Sequence, residues 1–209
     1  MKHTNFAALR SHPVSVGPLP SSSSERVHDA LKHLEATLMS STYRKILLLL
    51  EHDLMEDLTF LAIDRFLRYT SVQHLLLLVP QTMKKQLLNV WHRTVAWSNG
   101  RKLAEQFSLL SMPSRDQITA ELCIATIIEI QKQVGVDVTL PFFKAFDVVL
   151  VYEIPPYPGP AWIQAIDGFA ASGARVIGVS SQLSKEDGAS LFGCVIDQKR
   201  TSDQIQPQA

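Results

Sequence analysis

Cysteine is nearly missing from this 209-residue chain: Cys123 and Cys194 are the only two, too few for a disulfide framework or a cysteine-built metal site. Both stand inside apolar runs, "ELCIAT" and "LFGCVI", which predicts buried thiols in a reducing compartment. Long hydrophobic runs are missing as well. "ILLLL" and "HLLLLVP" fall far short of the roughly 18 apolar residues of a spanning helix, so no membrane partner is expected. Net charge is lacking too, because 20 basic and 20 acidic residues cancel. With no global field, contact with nucleic acid or anionic lipid has to come from a local patch. The 7 histidines have no ligand spacing, and no metal is expected.

One region is short of acid. No Asp or Glu precedes Glu25, whereas Lys2, His3, Arg10 and His12 are present and the stretch ends in a Pro/Gly/Ser run. That composition is similar to a mitochondrial presequence, with Pro13 limiting any amphipathic helix; a disordered tail is the alternative reading. If the segment is not a targeting signal, a cytoplasmic or nuclear location is expected. The last residues, "DQKRTSDQIQPQA", lose hydrophobic periodicity, and a frayed terminus is expected. The expected organisation is therefore a tail or targeting segment over 1–23, one folded domain over 24–200 and a tail over 201–209. A hydrophobic content of 46% in a chain of this length suits one core rather than two.

Within the domain, two kinds of segment alternate. "KILLLLE", "HLLLLVP", "ELCIAT", "DVVLVYE" and "ARVIGVS" are short continuous apolar runs, which predict strands near 46–50, 75–79, 121–125, 147–152 and 174–179. Runs without polar alternation belong to strands covered on both faces, the property of a parallel sheet. Segments 24–40, 54–70, 82–97 and 160–172 carry helical spacing instead; Val27, Leu31, Leu34 and Leu38 form one such stripe. The predicted class is α/β, three-layered, with a mainly parallel sheet and helices on both faces.

Ligands of such folds lie beyond the carboxyl ends of the strands. There the sequence reads "EHDLMEDLTF", "PQT", "YEIPPYPGP" and "SSQ" in turn. From Tyr152 onward, "YEIPPYPGPAWIQAIDGFAASGARVIGVSS" places an acidic strand end, a proline loop, a tryptophan-bearing helix and a second strand ending in hydroxyls. This layout, over roughly residues 24–200, resembles the first motor domain of superfamily 2 helicases, in the branch of type I restriction-enzyme motor subunits and related DNA translocases. The resemblance implies a RecA-like P-loop NTPase fold. It also implies that Pro80, Gln81, Lys84, Lys85 and Thr126 stand near a nucleic-acid backbone. "TMKKQ" and "HRTVAWSNGRK", with Trp91 and Trp97, supply a small local surplus of positive charge there; tryptophans in the core are the alternative.

The departures from that family are as informative. A phosphate loop needs glycine for close backbone approach, lysine for the β/γ-phosphates and a hydroxyl for Mg²⁺. The matching stretch, Glu51, His52, Asp53, Leu54, Met55 and Glu56, has no glycine and no lysine. Met55 falls near the lysine position and Glu56 near the hydroxyl position. Glu51, Asp53, Glu56 and Asp57 would repel a polyanion; they could instead complement a helix dipole or, through Asp53, Glu56 and Asp57, hold a divalent metal. Asp53 is expected as the N-cap of the following helix, with Glu56 as its capping-box partner. Tyr152 stands where the family has its Mg²⁺-associated Asp. Glu153 keeps the place of the water-activating Glu, and Ser180 keeps one hydroxyl of the later turn. The implied protein is a catalytically inactive helicase-like domain that serves as an interaction or assembly subunit. No cofactor and no small-molecule substrate are expected; other protein subunits are the expected partners, with RNA or DNA a candidate one. The alternative is an ATP-dependent helicase or translocase subunit completed by another chain.

Overall fold

The computed structural model describes residues 6, 22–40, 42–96, 98–111, 118–134 and 141–199. Apart from Phe6 and the start of the first helix, the expected N-terminal tail lies outside them, as does the whole C-terminal one. Phe6 itself is buried, edge-on to Phe66 with ring centroids 5.7 Å apart.

Seven strands make one sheet: β1 (Lys45–Leu49), β2 (Leu75–Val79), β3 (Leu109–Ser111), β4 (Leu122–Thr126), β5 (Val148–Tyr152), β6 (Arg175–Ser180) and β7 (Cys194–Asp197). Their spatial order is β3-β4-β2-β5-β6-β1-β7, and every neighbouring pair is parallel. The five apolar runs become the five inner strands, each within a residue or so of its predicted span. Side chains alternate across the sheet. Ile46, Leu48, Leu75, Leu77, Val148 and Leu150 face one core, while Leu47, Leu49, Leu76, Leu78, Val149 and Val151 face the other.

The first core is covered by α1 (Ser22–Ser40), α2 (His52–Tyr69) and α3 (Lys84–Arg93). The α1 stripe Val27, Leu31, Leu34 and Leu38 is buried, and α1 is joined to α2 by a buried ion pair, Arg65 Nε to Glu35 Oε1 at 2.8 Å. The second core is covered by α4 (Ile127–Val134), α5 (Pro141–Lys144), α6 (Pro160–Ala171) and α7 (Lys185–Leu191). Phe142, Phe143, Phe146 and Phe169 pack there, edge-on or tilted, with centroids 4.6 to 6.1 Å apart, a geometry favoured by the ring quadrupoles. Pro160 opens α6 at a position where its missing N–H costs nothing.

Three expectations need correction. β3 and β7 were not among the predicted strands; they are edge strands of three and four residues whose side chains are only partly covered, so they carry no long apolar run. The helix expected over 82–97 is shorter, because Thr94 turns to an extended conformation and Val95 pairs in a bridge with Lys102. Cys123 is buried in β4, and burial pushes its thiol up to about 12, whereas Cys194 on edge strand β7 is only half-buried.

Gly178 in β6 shows how closely the second core is packed. A Cβ there would lie 2.7 Å from Ile154 Cδ1, 2.7 Å from Phe192 Cζ and 3.0 Å from Leu47 Cδ1. Gly178→Ala is expected to destabilise the fold by about 1–3 kcal/mol through overpacking, read as a lower urea midpoint with an unchanged denaturant slope.

Candidate functional site

The carboxyl ends of β1, β2, β4, β5 and β6 bring the candidate residues to one edge. Along the strands polar groups are excluded by cores on both sides, so this edge is where they collect. Two features stand out there: the junction of β1 with α2, and the buried carboxylate after β5.

Only Leu50 and Glu51 separate β1 from α2. Glu51 is the N-cap, with φ −69° and ψ 147°, and its side chain makes no capping hydrogen bond. Its carboxylate accepts instead from Arg26 Nη1 of α1 at 2.6 Å, and this partner holds the guanidinium pKa above its usual value, against the opposing effect of burial. The expected Asp53 cap is thereby corrected: the helix starts one residue before Asp53, which lies exposed in its first turn, and Glu56 has no cap to complete. Leu54, Met55 and Leu58 are fully buried in the first core. At the position implied for a phosphate-binding lysine, Met55 fills apolar space. Burial, and secondarily Asp53, raise the Asp57 carboxyl. Among the described residues no group of three or more His, Cys, Asp or Glu is arranged to hold a metal.

Tyr152 is buried on the α1–α2 face, where burial and then the charges of Glu56 and Glu153 push its phenol up to about 12. The next residue reverses direction. Glu153 has φ +52°, and it is the sole non-glycine residue with positive φ among those described; L side chains rarely adopt this region. The turn sends its carboxylate into the protein, where Glu153 is 5% exposed. Ser181 donates to it twice, from Oγ at 3.0 Å and from its backbone N–H at 3.3 Å. Ser180 Oγ lies 3.4 Å away, but its one hydroxyl proton is better placed for the Ile154 carbonyl at 3.0 Å. Ser180 also accepts from the Gln182 and Leu183 N–H groups at 3.2 Å each, so it fastens the turn after β6. His52 Nδ1 reaches Glu153 Oε2 at 3.4 Å from the start of α2. The three residues read as remnants of a hydrolytic site, Tyr152, Glu153 and Ser180, thus sit together, with Glu153 as the hub and Ser180 and Tyr152 in structural surroundings.

Pro80, Gln81 and Thr126 line a cavity of about 450 Å³ that also includes Glu153 and Trp162. Thr126 starts α4: its Oγ1 accepts from the Glu129 N–H at 3.3 Å while Glu129 Oε2 accepts from the Thr126 N–H at 2.8 Å, a reciprocal capping box. Lys84 is buried and donates to both Glu129 oxygens at 2.7 Å, so its charge is already matched. Lys85 is exposed on α3. Trp91 is buried in the first core, and Trp97 lies outside the described residues.

Sequence reasoning missed Ser181, Trp162 and Glu129 as members of this edge. Each carried a signal: Ser181 in the hydroxyl-rich strand end "SSQ", Trp162 in the helix after the proline loop, and Glu129 in the Thr-x-x-Glu spacing that follows β4.

A search of solved structures returns the crystal structure of the UvsW helicase from bacteriophage T4, with a TM-score of 0.58, 16% identity, and coverage of 92% of this chain and 66% of that one. The fold is helicase-like and RecA-type. The chain spans just under two thirds of the UvsW chain's length. No protein-family model matches the sequence, and no curated protein does.

The Thr126–Glu129–Lys84 cluster ties α3 to α4. Burial alone would raise the Glu129 carboxyl, but hydrogen bonds from Lys84 and Thr126 outweigh it and hold the pKa below the usual value. A lowered carboxyl pKa gives stability that is complete above the unfolded value, about 4.3, and lost as pH falls through the folded one. Glu129→Gln, which leaves Lys84 buried without a counter-charge, is expected to cost about 2 kcal/mol at pH 7. In urea titrations the gap between variant and native chain should narrow below about pH 4.

Proposed function

We propose that this chain is a helicase-like domain without its own nucleotide hydrolysis, serving as an interaction or assembly subunit of a larger complex. The observation that carries the reading is the β1–α2 junction. Two residues leave no room for a loop around phosphates, Glu51 puts a carboxylate at the helix start, and Arg26 is bound to that carboxylate. Asp53, Glu56 and Asp57 add acid to the same turns, so a polyanion would meet repulsion instead of backbone donors. Tyr152, with its phenol buried and raised, offers no Mg²⁺ ligand at the adjoining strand end. Once the phosphate site is gone, what remains useful is a rigid sheet with its surfaces. The layout after β5 supports the finer kinship with restriction-enzyme motors and DNA translocases. Nucleic acid, where the complex contains it, would meet the edge formed by Pro80, Gln81 and exposed Lys85, with the buried Thr126 behind it.

The test is nucleotide linkage. Titrating MgATP to millimolar concentration should leave the thermal midpoint unchanged, whereas a ligand at a hundred times its Kd would add about 2.7 kcal/mol and raise the midpoint by roughly 5–10 °C. A saturable rise would overturn the reading, as would nucleic-acid-stimulated phosphate release that Glu153→Gln abolishes. The assembly role predicts that the chain leaves gently lysed cells in a larger complex; recovery as a free monomer would count against it.

A further inference from the structure

The cavity beyond β2, β4 and β5 shares Pro80, Gln81 and Thr126 with the edge proposed above for nucleic acid, but its interior has no role in that reading. It measures about 450 Å³, inside the roughly 300–1,000 Å³ range of small-molecule sites. Met83, Ile127, Pro155 and Trp162 supply apolar lining, and the exposed Gln81 and Gln182 supply amides. Its charged lining residue is Glu153.

The carboxylates at this edge differ in one respect. Glu51 is paired with Arg26 and Glu129 with Lys84. Glu153, the most deeply buried of the three, is met by Ser181, Ser180 and the largely exposed imidazole of His52, and by no lysine or arginine among the described residues. A buried carboxylate without a matched cation is costly, and here the backbone additionally occupies the left-handed region at φ +52° to point it inward. The α4 N-terminus that borders the cavity does not call for an anion, because Glu129 already caps it. In the same cavity wall, the Trp162 indole provides a surface that favours an ammonium.

We infer that this cavity binds a small organic cation: a primary or secondary ammonium on an apolar body, with its N–H groups on Glu153 and its body against Trp162, Met83 and Ile127. The ammonium supplies the missing counter-charge, and the apolar lining takes the rest of the molecule out of water. The cavity shares no lining residue with the β1–α2 junction and touches it only through the His52 contact to Glu153, and the binding test below reads affinity alone, without ATP turnover.

Three ligands of one shape and different charge test the inference on the full chain: phenethylamine, 2-phenylethanol and phenylacetate, titrated by calorimetry. Phenethylamine should bind saturably, about tenfold more tightly than the alcohol, as expected for a charge-assisted hydrogen bond, and phenylacetate should bind most weakly. Glu153→Gln should bring the amine down to the affinity of the alcohol. Trp162→Ala should weaken both. Equal affinity for all three, preference for phenylacetate, absence of saturable amine binding, or an amine preference that survives Glu153→Gln would each overturn the inference. Should Glu153→Gln fail to fold, the ranking on the native chain and its response to Trp162→Ala decide the matter.

Discussion

Burial of the sheet on both faces is the constraint on which the rest of this structure depends. A parallel sheet needs crossovers, the crossovers lay helices on each face, and the inner strands then have no solvent side. Ile46 and Leu47, Leu75 and Leu76, Val148 and Val149 are therefore apolar in succession, with neighbours turned to opposite cores. Polar chemistry has nowhere to go along the strands. It gathers at their carboxyl ends, where Glu51, Thr126, Glu153 and Ser180 follow or end successive runs.

At that edge the polar groups hold one another. Arg26 ties α1 to the β1–α2 junction, Lys84 and Glu129 tie α3 to α4, and Glu153 ties the end of β5 to the turn after β6. Each tie crosses between elements distant in sequence. The junction after β1 is only two residues long, Leu50 and Glu51, before α2 begins. The frame itself is held by its two cores.

Much of the fold was legible because its signals are local. Continuous apolar runs such as "ILLLL" mark inner strands, and the Val27–Leu31–Leu34–Leu38 stripe marks a covered helix. Edge strands β3 and β7 escaped for the opposite reason: with a neighbour on one side and partial cover, Leu109–Ser111 and Cys194–Asp197 have no need of an unbroken apolar run. The helix cap lies at Glu51, two residues before the expected Asp53. A short polar side chain near a helix start is a capping signal, but which residue becomes the cap depends on where the strand before it ends. Here Leu50 N–H bonds to the Ser180 carbonyl and the helix begins almost at once.

What the sequence determined by itself is the class of fold, the positions of the inner strands, and the absence of glycine and lysine after the first of them, because each is a property of residue type and spacing along the chain. Only the tertiary structure decided what the polar residues do. That Lys84 is spent on Glu129, that Met55 fills a core, and that Glu153 turns inward through a left-handed residue to meet Ser181, His52 and a cavity wall are facts of proximity. They join residues from tens of positions apart, and no local pattern of side chains encodes which of them the packed sheet will bring within hydrogen-bonding reach.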